Sequence, residues 1–378
     1  MSFTSIPTLD LAQAQDSVTK PAFLEQLRHA LIEVGFLYLK NVGIPDELFS
    51  DVISQGKAFF EIPEEEKLKI EMKNAPSFLG YSRMDAEVTA GRIDHREQID
   101  LSTQHPLPVP GKQPRYYNLR APNQWPEHSL VPGFRPAFEK YMQCMGAVSM
   151  YFTSLIAEAI GLPPSAFERY FDGEGGKEQQ HKLKIVKYPD GKDLGLKEGE
   201  QGQGVGPHKD SMLSSYLLQA SEHRCLQVQN MRGEWVDVPP LKGTLVVAIG
   251  QGLEALTRGV CVSTTHRVLS PPAGTGPRFS IPFFQGVSGD ARFEDLEGVG
   301  VGIIPEEVRE LRMKVIEKNG GRRLDDVEFT FHGGGKAKTL GDATLRNRVK
   351  SHPDVGKRWY PDILEELTRE AIVARKAY

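Results

Sequence analysis

The chain has 378 residues with 39% hydrophobic and 25% charged content, enough to bury a sizeable core and too ordinary in composition for wholesale disorder. A formal net charge of -4 with signs mixed along the chain argues against a duplex nucleic-acid binder, which needs a concentrated basic face. Three widely spaced cysteines, Cys144, Cys225 and Cys261, form neither a disulfide framework nor a zinc-type pair, and no apolar run reaches the ~18 residues of a membrane span. The opening residues have no basic and apolar signal pattern, so the expectation is a soluble cytoplasmic protein, monomeric, without membrane or nucleic-acid partners.

In chain order, a short β-like opening at Ile6–Asp10 leads into a helix from Pro21, with Leu24, Leu27, Leu31 and Val34 on one face. Gly35 ends it, Gly35–Leu39 reads as a buried strand, and a second helix carries Leu48, Val52, Ile53 and Phe60. From about Ser77 to Gly133 turn residues dominate, and such irregular stretches more often shape a site than build a core. A long helix follows with Phe138, Tyr141, Met142, Met145, Val148, Phe152, Leu155 and Ile156 on a broad apolar face, closed by Gly161 and Pro163-Pro164.

Strand patterns then take over: Leu183–Tyr188, Leu213–Gln219, Leu226–Gln229, Glu234–Val238, Thr244–Ile249, Cys261–Leu269 and Phe279–Phe284. Their lengths and Gly/Pro punctuation suggest an antiparallel sandwich or barrel. Gly191–Gly206 reads as a mobile loop, and helix returns after Pro305 and near Pro361.

His208-Lys209-Asp210 puts an imidazole and a carboxylate on one face of an extended chain. Non-haem Fe(II) oxygenases need two histidines and one carboxylate on one face of an octahedron, leaving the opposite positions open. His266, in the strand-like Ser263–Val268, is the candidate third ligand. A lone His-x-Asp triplet is weak among ten histidines; His352-Pro353-Asp354 is a second one, read as a turn, and His95-Arg96-Glu97 is a near-match. What singles out the first is Arg278-Phe279-Ser280, beyond His266. At i and i+2, Arg278 and Ser280 face the same way, and a guanidinium beside a hydroxyl can hold a carboxylate. 2-Oxoglutarate has the matching shape, a 2-oxo acid for iron at one end and a carboxylate for Arg278 at the other.

The segments His208–Leu213, Leu217–Gln219, Leu226–Val228, Trp235–Pro240, Ile249-Gly250 and His266–Val268 resemble the C-terminal core of the 2-oxoglutarate/Fe(II)-dependent oxygenases of the isopenicillin N synthase-like class. Gly35–Leu39 and Phe59–Pro63 resemble the N-terminal region of the same class. The resemblance implies a mainly β fold with flanking helices around a double-stranded β-helix (jelly-roll) core. In one structural unit, residues 1–176 would form a mixed N-terminal region, 177–290 the core and 291–378 a helical extension. It implies Fe(II) on His208, Asp210 and His266, 2-oxoglutarate on Arg278 and Ser280 with Tyr188 assisting, and O2 as oxidant of a small organic substrate, with release of succinate and CO2. Lys184, on the face of Tyr188, is a second cosubstrate candidate.

Met212, Gln251 and Cys225 depart from the class, where Gly, Asp and Gly are usual; none is an expected ligand, and the pocket wall near Met212 should be reshaped. A narrower likeness, of Glu87–Gly91 and Arg358–Asp362 to the ethylene-forming enzymes of the superfamily, places Glu87, Thr89 and Arg358 as candidate substrate contacts, with an arginine-type substrate as one alternative. Tyr216 and Phe283 are candidate pocket aromatics. An oxidase like isopenicillin N synthase, which uses the Arg-x-Ser pair without 2-oxoglutarate, is the other alternative. The substrate itself carries no readable code.

Overall fold

The computed structural model describes residues 2–89, 92–109, 111–171, 180–292, 303–321 and 337–376. In chain order its elements are β1 (Thr8–Asp10), α1 (Lys20–His29), β2 (Phe36–Lys40), α2 (Asp46–Glu61), α3 (Glu64–Lys69), β3 (Gly80–Ser82), β4 (Val88–Thr89), β5 (Arg92–Ile93), β6 (Glu97–Ser102) and α4 (Phe134–Ala159). There follow β7 (Lys182–Tyr188), β8 (Gln203–His208), β9 (Ser214–Gln219), β10 (Leu226–Gln229), β11 (Trp235–Asp237), β12 (Thr244–Ile249), α5 (Gln251–Leu256), β13 (His266–Leu269) and β14 (Arg278–Gln285). Four helices close the chain: α6 (Glu306–Lys318), α7 (Leu340–Ser351), α8 (Pro353–Trp359) and α9 (Pro361–Lys376).

An eight-stranded sheet in the order β1-β2-β12-β9-β14-β7-β6-β3 faces a four-stranded sheet, β11-β10-β13-β8. The strand alternation divides two cores. Leu183, Ile185, Tyr216, Leu218, Phe279, Ile281 and Phe283 point outward into a large apolar layer with the α4 side chains Phe138, Tyr141, Met145, Phe152 and Leu155. Val186, Tyr188, Val205, Leu226, Val228, Val246 and Val268 point inward, between the two sheets. The broad apolar face of α4 therefore covers the outside of the major sheet and leaves the space between the sheets for the site.

The helix end at Gly35 follows from close approach. Its φ of +71° is left-handed, and a Cβ there would meet the Val262 carbonyl oxygen at 2.3 Å. Four expectations are corrected. Gln203–His208 is strand β8, paired with β13 across register shifts, where the Gly-rich sequence suggested only loop before His208. The Ser77–Gly133 stretch contains β6, buried along its whole length and paired with β7; its sequence Glu-Gln-Ile-Asp-Leu-Ser hides it because polar groups fill its inner face. Of Cys261–Leu269 only His266–Leu269 pairs as a strand. His352-Pro353-Asp354 is no turn either; Pro353 opens α8 at its first position.

Candidate metal and oxo-acid centre

Strand β8 ends on His208 and β13 begins on His266, and the two residues are direct cross-strand partners, which sets their rings 4.2 Å apart between centroids. Asp210 follows β8 on the same face. His208 Nε2 and His266 Nε2 each lie 3.8 Å from Asp210 Oδ1, and one donor atom from each of the three side chains falls within 4.8 Å of the others. Among the described residues this is the one His/Asp/Glu/Cys group of metal-binding geometry found.

The surroundings prepare the three for a cation. His208 Nδ1 donates to the Gly206 carbonyl at 2.8 Å and His266 Nδ1 faces the Thr264 carbonyl at 3.3 Å, which leaves both Nε2 lone pairs aimed at the centre. Burial lowers the His208 pKa against the pull of Asp210. Burial, then the neighbouring His208, pushes His266 down to about 4. Both imidazoles are thus held neutral, the form that ligates. Ser215 Oγ hydrogen-bonds Asp210 Oδ2, and Phe36 packs edge-on against the His266 ring. Two neutral imidazoles and one carboxylate, all from one side, form a donor set that suits Fe(II).

Arg278 is the first residue of β14, paired with Tyr188, and its guanidinium lies 4.8 Å from the Tyr188 ring centroid. The residue is 1% exposed, yet among the described residues neither Nη1 nor Nη2 has a hydrogen-bond partner. Leaving a buried cation without partners is costly, so this pair of orphaned donors is shaped for an anion, and a carboxylate fits it. Ser280, two residues on and 2% exposed, faces the same way.

Glu87 and Thr89 enter a buried polar network beside the triad. Arg96 Nη2 bonds Glu87 Oε2 at 2.6 Å, while Lys184 Nζ and His352 Nε2 approach Glu87 Oε1 at 3.4 and 3.6 Å. Burial works to raise the Glu87 carboxyl, but Arg96 first, then Lys184 and His352, hold it well below the ordinary carboxylate range. Thr89 donates to Asp94, which also accepts from Gly206 N beside the ligand strand. Arg348 from α7 bonds Asp100 of β6 at 3.1 Å. Lys184 therefore stands with Glu87 and Asp100 rather than with Arg278.

Three expected contacts are overturned. Tyr216 and Phe283 lie on the outer face of their strands, packed with Phe152 under α4; the inner positions one residue on are Leu217 and Phe284. Arg358 is exposed, stacked on Trp359 and reaching Asn74. Sequence reasoning missed Arg96, Asp100 and Arg348 as site residues and weighed His352 only as a metal ligand. The first two sit on inner positions of an unrecognised strand or its approach, Arg348 comes from α7 far down the chain, and His352 is the residue between α7 and α8.

The sequence comparisons agree with this geometry. Residues 6–128 match the model of the non-haem dioxygenase in morphine synthesis N-terminal region, and residues 180–287 match the 2OG-Fe(II) oxygenase superfamily. The chain is 63% identical to the 2-oxoglutarate-dependent dioxygenase frbJ of Dothideomycetidae sp. (strain 11243), over 98% of this chain and 96% of that one. It is 32% identical to a homoarginine-6-hydroxylase of Glycine max, over 78% of this chain and 89% of the relative. A full-length Neurospora crassa protein crystallised with alpha-KG and 5-formyluracil shares the fold at TM-score 0.68 and 21% identity, covering 92% and 96% of the two chains. A Caulobacter crescentus 2OG-Fe(II) oxygenase family protein does so at 0.63 and 23%, covering 82% and 99%.

The fold and site define a jelly-roll oxygenase, and the chain belongs to the 2-oxoglutarate/Fe(II)-dependent oxygenase superfamily. It is an enzyme that uses Fe(II), 2-oxoglutarate and O2 to oxidise a small molecule. Among the described residues no helix is long and apolar enough to cross a membrane.

Proposed function

We propose that His208, Asp210 and His266 are the iron ligands, that Arg278 with Ser280 and Tyr188 receives the far carboxylate of 2-oxoglutarate, and that the substrate is a basic amino acid. The observation that carries the cosubstrate assignment is the buried Arg278 guanidinium with two unpartnered nitrogens, on the strand that flanks the triad. When bound, iron supplies the O2 chemistry that couples decarboxylation of 2-oxoglutarate to oxidation of the substrate.

The protein's own work is placement. The Gly206 carbonyl fixes the His208 tautomer, and Ser215 fixes the rotation of the Asp210 carboxylate. Arg278 neutralises the anion that would otherwise be buried alone, and the Phe36 ring keeps water from one flank of His266.

The basic amino acid is supported by Glu87, a carboxylate held ionised and close enough for its charge to act on His208. Its Oε1 makes the longer contacts, to Lys184 and His352, while the shorter Arg96 contact holds Oε2, so we assign the guanidinium to Oε1. Relatives named homoarginine-6-hydroxylases, at 30–32% identity, support the same class. Succinate release should therefore be stimulated by L-homoarginine or L-arginine above the level without substrate. Glu87→Gln should raise the KM for that amino acid by about tenfold or more, as loss of a charged hydrogen bond does. Stimulation by neutral amino acids alone, or an unchanged KM in the variant, would refute the substrate assignment.

A further inference from the structure

On the inner face of β7, two residues before Lys184, lies Lys182. It borders Phe284 of β14 and Ser102 of β6 in the sheet. Its Nζ is buried and has no hydrogen-bond partner among the described residues. Burial first, then the nearby Arg348 guanidinium, holds its pKa well below the ordinary lysine value. A buried ammonium without a partner is destabilising, so the position calls for a ligand.

Lys182 lines a small cavity of about 50 Å³ that opens to solvent. One wall is Met212, two residues beyond the ligand Asp210; the other includes Tyr116, Val287 and Leu340. His105 and Arg120 add basic groups, and no carboxylate is among the described lining residues. The neighbouring network points the same way. Among the described residues, Lys182, Lys184, Arg96 and Arg348 stand with Glu87, Asp94 and Asp100, and the basic side chain left without a hydrogen-bond partner is the one at the cavity.

We propose that Lys182 holds a carboxylate of the substrate in this cavity, at the end opposite to the one Glu87 receives. Lys182 and Lys184 are separated by about 7 Å along the strand, so a molecule can place its anionic end at Lys182 and its cationic end against Glu87, with the chain between them passing in front of the ligand segment Asp210–Met212. This site is separate from the cosubstrate anchor, since Arg278 and Tyr188 sit at the far end of the same two strands. The amino-acid form of the proposal deepens the substrate assignment above and rests on it; the anion site does not.

The two are tested apart. Crystals of the Fe(II) enzyme with 2-oxoglutarate, grown in bromide, should show an anomalous peak against Lys182 Nζ that is lost in Lys182→Met; no peak in the wild type overturns the site whatever the substrate is. With L-homoarginine and its α-amide as paired probes, wild type should favour the acid in KM by about 30-fold, the worth of a charged hydrogen bond. Lys182→Met should abolish that preference and Lys182→Arg restore part of it, which a purely structural role would not produce. A Lys182→Met enzyme that still prefers the acid as wild type does overturns the carboxylate role. A bromide peak with neither probe oxidised would leave the anion site standing and refute the basic amino acid.

Discussion

Ser215 is the residue through which the major sheet hydrogen-bonds the ligand Asp210. Its hydroxyl donates to the Asp210 oxygen that faces away from His208 and His266, so it selects which oxygen is presented to the centre. Partners of this kind are worth 10–100-fold in metal affinity. Ser215→Ala should therefore weaken Fe(II) binding by about tenfold while leaving the fold intact, measured by anaerobic metal titration against a competing chelator; unchanged affinity would show that Asp210 needs no such support. Residue-scale reading from sequence is most informative where the chemistry is rare. His-x-Asp, a distant His and Arg-x-Ser are unusual combinations, and the fold brings His208, Asp210 and His266 together. It failed for Tyr216 and Phe283 because aromatic character says nothing about strand parity. One residue's shift along a strand reverses the face, and only the inward position of Arg278 and Ser280 tells which positions of β14 line the site.

At the scale of elements, the ligand segment is pinned by α5 and its approach. Gly250 precedes α5, and a Cβ on it would lie 1.8 Å from the Met212 carbonyl oxygen and 3.2 Å from that of Asp210. Gln251 N donates to the Asp210 carbonyl at 2.7 Å and Gly250 N to Leu213. Gly250→Ala must push the Asp210–Met212 segment aside. The expected cost is about 2 kcal/mol or more, with impaired Fe(II) binding, and chemical denaturation with metal titration would check both. A variant with normal stability and normal iron binding would mean that the segment shifts freely. Two strands that sequence reading missed, β6 and β8, carry weak apolar patterns. In β6 the inner face carries Gln98, Asp100 and Ser102 against outer Ile99 and Leu101, so only two apolar residues mark the strand, and β8 is Gly-rich with Val205 as its one aliphatic side chain. Strands that build a polar site are the ones hydrophobic periodicity conceals, whereas β7, β10, β12 and β14 were legible nearly to the residue.

For the molecule as a whole, the polar interior carries an acid liability. Burial alone lowers His181 to about 3, and burial, only partly offset by Glu87, lowers His352 to about 4. In the unfolded chain both titrate near 6.5. Above that pH neither state binds the proton and the histidines cost nothing; below it the unfolded chain takes up protons that the fold refuses, so stability falls as pH drops from 6.5 toward 3. Each adds about 1.4 kcal/mol per pH unit in that window. His181→Asn, which keeps a polar group near the Gly286 N–H, should shrink the difference in stability between pH 7 and pH 5 by about 2 kcal/mol, read from urea unfolding; an unaltered difference would place the liability elsewhere. The central claim is that one pair of sheets brings two separate anchors together, a metal triad at one edge of β8 and β13 and a guanidinium at the start of β14. Anaerobic equilibrium dialysis of Fe(II) and 2-oxoglutarate against wild type, His208→Ala and Arg278→Ala tests it directly. We expect one iron and one 2-oxoglutarate per wild-type chain, loss of iron in His208→Ala, and in Arg278→Ala full iron with 2-oxoglutarate affinity reduced by about 100-fold. Iron retained at full affinity in His208→Ala, or 2-oxoglutarate bound as tightly without Arg278, would contradict the account.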